Sequence, residues 1–200
     1  MPFHRLTLIV FLIFFSGCLS TLKEIKDPNK PFERKSCSLL PPSGSGWRYI
    51  KQEQDNGYAI HFSKQGISPS HTVSAIFLEF QRNTNFSSPE HFLNYIRQMK
   101  KNDIDPWRHK IIENKWILDG RFGEYSVQYY TVLKDYDPYR MNPKEYSISK
   151  IYGYAIVHPY FDNMLIDILY TEQGKPAEVS PQFEHEALKF IEGLHLKKKE

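Results

Sequence analysis

The chain has 200 residues, with 26 Lys plus Arg against 23 Asp plus Glu and a formal net charge of +3. That near balance argues against nucleic acid as the main partner, and the length suits one domain with a sizeable core. Only two cysteines are present, Cys18 and Cys37, so a multi-disulfide framework is excluded.

The N-terminus reads as an export signal. Arg5 is its positive charge, and Leu6 to Phe15 is apolar apart from Thr7. Such a run matches a signal-peptide core and is shorter than the roughly 20 residues that span a bilayer. Phe15-Ser16-Gly17-Cys18 then resembles the lipobox of bacterial lipoproteins: an aliphatic residue, a small residue, Gly or Ala, then Cys. Small residues leave the backbone open to the peptidase, and the thiol accepts the diacylglycerol. Phe15 stands where Leu is usual. The resemblance implies that residues 1–17 are cleaved and that Cys18 carries the lipid, making the membrane a partner. The alternative is an ordinary secretory signal in which Cys18 is incidental. With Cys18 acylated, Cys37 has no partner in the chain and reads as a small core residue. Leu19 and Ser20 follow the anchor, without the Asp that marks inner-membrane retention in envelope lipoproteins. By resemblance to that rule, the expected location is the outer membrane facing the periplasm.

Residues 18–45 read as a flexible tether, rich in Lys and Pro and ending Pro41-Pro42-Ser43-Gly44-Ser45. As a coil it would span roughly 30 Å. A single domain is expected over residues 46–196, with a basic tail at 197–200. Trp47–Lys51 and Tyr58–Phe62 read as strands around the turn signal Asp55-Asn56-Gly57. Val73–Phe80 is a strand with two apolar faces, which predicts cover on both sides. Ser88-Pro89-Glu90 opens a helix with a cap, a first-turn proline and an acid. Its apolar stripe is Phe92, Leu93, Ile96 and Met99, and Lys100 or Lys101 should end it. Ile111-Ile112 and Trp116–Leu118 are short apolar stretches. After the turn Asp119-Gly120-Arg121, one long strand is expected from Phe122 to Leu133. Asp135 to Ser147 should be a loop. Ile151–Val157 and Met164–Tyr170 pair as strands. A last helix carries Phe183, Ala187, Phe190 and Ile191, with Gly193 expected as its C-cap and Leu194 to Leu196 as a short edge strand.

Hairpin-linked strands with a helix in the middle and one at the end predict an α+β fold. Gly46-Trp47 before a strand, the Ile60-His61-Phe62 strand, the Ser88–Phe92 helix start, the Gly153–Tyr170 hairpin and the closing Phe183–Leu196 segment together resemble the PsbP/Mog1/DcrB-like superfamily. That resemblance implies an antiparallel β-sheet with helices packed on its faces, a three-layer α/β/α sandwich. It brings no catalytic residues with it, and fold alone does not assign function.

Chemical motifs are sparse. There is no nucleophile elbow, no phosphate-cradling glycine loop and no Cys-x-x-Cys. His185-Glu186 begins like a zinc-protease motif, but Lys189 takes the place of the second histidine. No catalytic residue, metal site or cofactor is therefore expected. Thirteen tyrosines stand out. Tyr136, Tyr139, Arg140 and Tyr146 fall in the expected loop, and Tyr and Arg are enriched in interface hot spots. The sequence thus favours a non-catalytic envelope protein that binds another protein, in an assembly, accessory or inhibitor role. Two alternatives stay open: a hydrolase using His158, Asp162 and Asp167, and a carrier of a small ligand or metal.

Overall fold

The computed structural model describes residues 22–54, 57–81, 84–136 and 145–199. In chain order the elements are β1 (Lys23–Glu24), β2 (Phe32–Glu33), β3 (Cys37–Leu39), β4 (Arg48–Gln54), β5 (Gly57–Gln65), β6 (Thr72–Gln81), α1 (Pro89–Asn102), β7 (His109–Leu118), β8 (Ser126–Asp135), β9 (Ser147–Val157), β10 (Met164–Gly174), α2 (Phe183–Ile191) and β11 (Leu194–Leu196). Eight strands form one sheet in the order β1-β4-β5-β6-β10-β9-β8-β7, and every neighbouring pair is antiparallel. A second sheet of three strands runs β11-β3-β2. Among the described residues the fold is α+β, mostly antiparallel sheet with two helices.

Alternation along the strands builds two apolar clusters. Tyr152, Tyr154, Ile156, Ile166, Ile168 and Tyr170 pack with Phe183, Ala187, Phe190 and Ile191 of α2. Val127, Tyr129, Ala155 and Leu165, on the alternate positions, pack with Phe92 and Ile96 of α1. Successive strand side chains point to opposite faces, so the two helices lie against opposite faces of the sheet. On β6 only one face is fully covered. Val73, Ala75 and Phe77 are buried, whereas Ile76, Leu78 and Phe80 are half-buried.

The helix signals act as read. Ser88 Oγ accepts a hydrogen bond from the His91 N–H at 3.2 Å, Glu90 sits in the first turn, and Lys100 and Lys101 sit in the last. At the end of α2 the expectation fails. The cap is Glu192 in the right-handed region, and Gly193 has no positive φ. Glycine suits close approach there: a Cβ would lie 3.0 Å from Leu40 Cβ and 3.1 Å from Phe190 O, a tight fit that the neighbours would have to ease.

The expected tether is corrected from residue 22 onward. β1 pairs with β4, β2 with β3, and β3 with β11. Ser36, Cys37 and Leu39 are each 1% exposed. Apolar residues at alternate positions, Cys37 and Leu39, bury against the main core although the surrounding composition is polar. The basic tail is shorter than expected too. The Lys197 N–H donates to Ser36 O at 2.7 Å, and its ammonium reaches Glu33 at 2.6 Å. The two apolar stretches before the turn belong to one strand, β7, with a bulge between Ile111 and Glu113. Strand β8 starts at Ser126, because Gly120–Phe122 forms a short 3-10 turn capped by Asp119.

Candidate functional site

The strongest surface lies at one end of the main sheet, where β7 begins, β8 ends, β9 begins and β10 ends. Its pivot is Asp135, 3% exposed at the end of β8. The carboxylate accepts from Arg108 Nε at 2.5 Å and Nη2 at 2.8 Å, and from Gln173 Nε2 at 2.6 Å. His109 Nε2 stands 3.6 Å away. Charge-assisted, forked bonds of this kind are strong and directional. They tie the segment before β7 to its neighbour β8 and, across β9, to β10.

On that platform stand aromatic rings. The Tyr136 N–H donates to Arg108 O at 2.9 Å. Tyr136 and Tyr146 face each other with centroids 5.8 Å apart, and Lys134 Nζ lies 4.2 Å from the Tyr146 centroid. Both tyrosines are half-buried. Trp107 is 95% exposed, the most exposed of the large apolar side chains among the described residues. Its backbone is held by Asp105, whose Oδ1 accepts the Trp107 N–H at 2.9 Å. Of the expected binding residues, the structure brings Tyr136 and Tyr146 together. Tyr139, Arg140 and the expected lipidation site Cys18 lie outside the described residues. Trp107 and Arg108 escaped sequence reasoning. The signal available was a tryptophan in the polar segment Asp105-Pro106-Trp107 just after a helix.

The hydrolase constellation does not assemble. His158 is 3% exposed and its Nε2 lies 2.9 Å from Ser36 O, while its Nδ1 accepts the Tyr160 N–H at 3.1 Å. Burial holds its pKa below the ordinary imidazole value. Asp167 sits on the α1 face, bonded to Tyr129 at 2.6 Å and to Lys100. Asp162 is exposed. Both ring nitrogens of His158 are already engaged, so the ring is not placed to take a proton from a nucleophile.

Other polar groups inside the fold are tied up similarly. Ser36 Oγ donates to Glu79, and Arg34 lies 3.9 Å from the same carboxylate. Burial pushes the Cys37 thiol up to about 12, away from thiolate reactivity. Burial first and Asp167 second raise the Tyr129 phenol well above its usual value. His71 and Glu172 meet at 2.7 Å inside the fold, and Glu172 also accepts the Ser180 N–H at 2.9 Å. Among the described residues, no group of three or more His, Cys, Asp or Glu is arranged to hold a metal. No helix among them is long and apolar enough to cross a membrane.

No protein-family model matches the chain, and no curated protein matches it. Solved structures do. One is LpqN from Mycobacterium tuberculosis, described as involved in cell envelope biogenesis. It is 13% identical, with a TM-score of 0.47, over 88% of this chain and 90% of that one. A likeness at that level bears on neither the activity nor the partners of this protein.

Proposed function

We propose that this is a lipid-anchored cell-envelope protein that binds another protein and performs no catalysis of its own. The carrying observation is the aromatic platform: the Tyr136–Tyr146 pair, and Trp107, 95% exposed and next in the chain to Arg108, whose carbonyl accepts the Tyr136 N–H and whose side chain grips Asp135. Aromatic rings on a rigid base offer contact area at low entropic cost, which is what interface anchors need. Tyr139 and Arg140, which fall between the paired tyrosines in the sequence, are part of the proposed binding set. The role is assembly, accessory or inhibitory. The divergence of His158, Asp162 and Asp167 supports a non-catalytic reading.

The anchor is Cys18, after removal of residues 1–17, and the preferred site is the outer membrane facing the periplasm. The support is the n-region, apolar run and Phe15–Cys18 box of the sequence. The domain is read as a PsbP/Mog1-like α/β/α arrangement, supported by the helices on opposite sheet faces.

Crosslinking and pull-down from native envelopes tests the surface. The parent protein should retain a specific partner. Trp107→Ala and Tyr136→Ala/Tyr139→Ala/Arg140→Ala should lose it with unchanged circular dichroism. Equal retention by both variants sinks the surface. Cys18→Ser tests the anchor: it should release the protein from membranes and remove an acyl mass increment. Membrane retention without that increment would refute acylation.

A further inference from the structure

Strand β7 closes the main sheet at one end and, among the described residues, pairs with β8 alone. An edge of ten residues presents a row of unpaired backbone groups, a template for another strand. The opposite edge, β1, has two residues. The long edge is also apolar for an exposed strand. Ile111, Ile112 and Ile117 are 42%, 51% and 52% exposed.

Its sequence runs Ile111-Ile112-Glu113-Asn114-Lys115-Trp116-Ile117. About Asn114 this is a mirror pattern: two apolar residues, an acid, Asn, a base, two apolar residues. An antiparallel strand paired by a two-fold axis through Asn114 places residue 114+k opposite residue 114−k of the other copy. Glu113 then faces Lys115 of the second copy, twice over; beyond that pair the bulge between Ile111 and Glu113 interrupts the regular register, so Ile111 and Ile117 lie on different faces and flank the pairing. The geometry permits it. Glu113, Lys115 and Ile117 lie opposite Val132, Tyr130 and Gln128 in the register with β8, so all three share one face. A two-fold axis normal to the sheet keeps that face common to both copies. Within one chain Lys115 reaches Glu113 at 2.5 Å, so the two groups already stand within reach of each other's charge. A shift of the axis to Lys115 would set lysine against lysine, which cross-strand pairing disfavours.

We infer that β7 is a self-recognition edge, through which two copies of this chain join by antiparallel strand pairing centred on Asn114. The surface is distinct from the aromatic platform, so its partner is a second copy rather than the proposed envelope protein. Charge complementarity selects the register, and the exposed isoleucines flank it.

Sedimentation velocity of the full chain, in density-matched detergent over a wide concentration range, tests this. The parent chain should pass from monomer to dimer. Glu113→Lys and Lys115→Glu should each dimerise about tenfold more weakly, because both cross-strand pairs turn repulsive. An equimolar mixture of the two variants should dimerise again, since each offers the charge the other lacks. That arm needs both variants folded, and recovery itself proves it. A monomer throughout would assign the edge to a foreign strand, if to anything, and overturn the inference. So would single variants that associate like the parent, or a mixture that gains nothing.

Discussion

Gly153→Ala offers a test of the core at a position where general propensity predicts the wrong sign. Alanine in a strand is ordinarily favoured over glycine by about 0.5–1 kcal/mol. Here Gly153 lies between Tyr129 of β8 and Leu169 of β10. A Cβ would fall 2.5 Å from the Tyr129 ring and 2.6 Å from the Ile168 carbonyl oxygen. Comfortable carbon contacts need about 3.5–4.0 Å, so the overlap is about 1 Å. The ring has little freedom to yield: Tyr129 is 2% exposed and its hydroxyl is bonded to Asp167 at 2.6 Å. The carbonyl belongs to the neighbouring strand and moves only if the sheet does. Overpacking of this kind costs about 1–3 kcal/mol. With the upper end appropriate for two immovable neighbours, the net loss is about 2 kcal/mol. For a chain of this size that lowers the midpoint by about 4–8 °C. Thermal unfolding followed by circular dichroism reads it directly. A double-mutant cycle with Tyr129→Leu should show less than additive loss, because the leucine removes one of the two obstacles. A Gly153→Ala protein as stable as the parent, or more so, would refute the packing argument.

Three further outcomes follow from the buried polar groups. Cys37, with its thiol raised to about 12, should resist alkylation in the native state at pH 8 and react in urea. Peptide mapping by mass spectrometry separates it from Cys18, and native-state labelling at the rate of a free thiol would contradict its burial. His158 and His61 are held below the ordinary imidazole value by burial, so the unfolded chain binds more protons near and just below pH 6.5. Stability should therefore fall as pH drops through that value, and His158→Gln should flatten the fall. An unchanged slope in urea titrations would show that His158 does not carry it. Asp135→Asn removes the charge that orders the aromatic platform and takes that carboxylate from Arg108, which is about a third exposed. The expected loss is about 2 kcal/mol, seen as a lower urea midpoint at constant m-value. A midpoint within error of the parent would mean that the fork contributes little.

Local signals carried much of the architecture. Ser88-Pro89-Glu90 marks α1 because capping chemistry is decided by adjacent residues, and the stripe Phe183, Ala187, Phe190, Ile191 marks α2 for the same reason. Tyr58, Ile60 and Phe62 alternate over enough positions to show a strand. Residues 22–46 were opaque because strands of two or three residues have no period. Their stability also depends on distant chain: Leu39 pairs with Leu194. The site was only half visible. Tyrosines 136 and 146 could be picked out as loop residues, but their contact follows from β8 and β9 being neighbours. Arg108 reaches Asp135 across 27 positions, and His158 reaches Ser36 across 122, so neither partnership leaves a trace in linear spacing.

The pairing of β1 with β4 has a consequence for posture at the bilayer. With Cys18 acylated, residues 19–22 can extend at most about 14 Å before the chain is locked into the sheet. Under the proposed anchoring the domain could not roam: a single copy would stand with its β1 edge near the head groups, and β7 would be held away by seven strand spacings, on the order of 30 Å. Two copies joined at β7 carry their anchors at opposite ends of one broad sheet. Both lipids can enter the same leaflet only if the two-fold axis lies along the membrane normal. The joined sheet must then lie flat, one helical layer toward the lipid and the other toward the aqueous side. Association would thus tip the molecule from upright to prone.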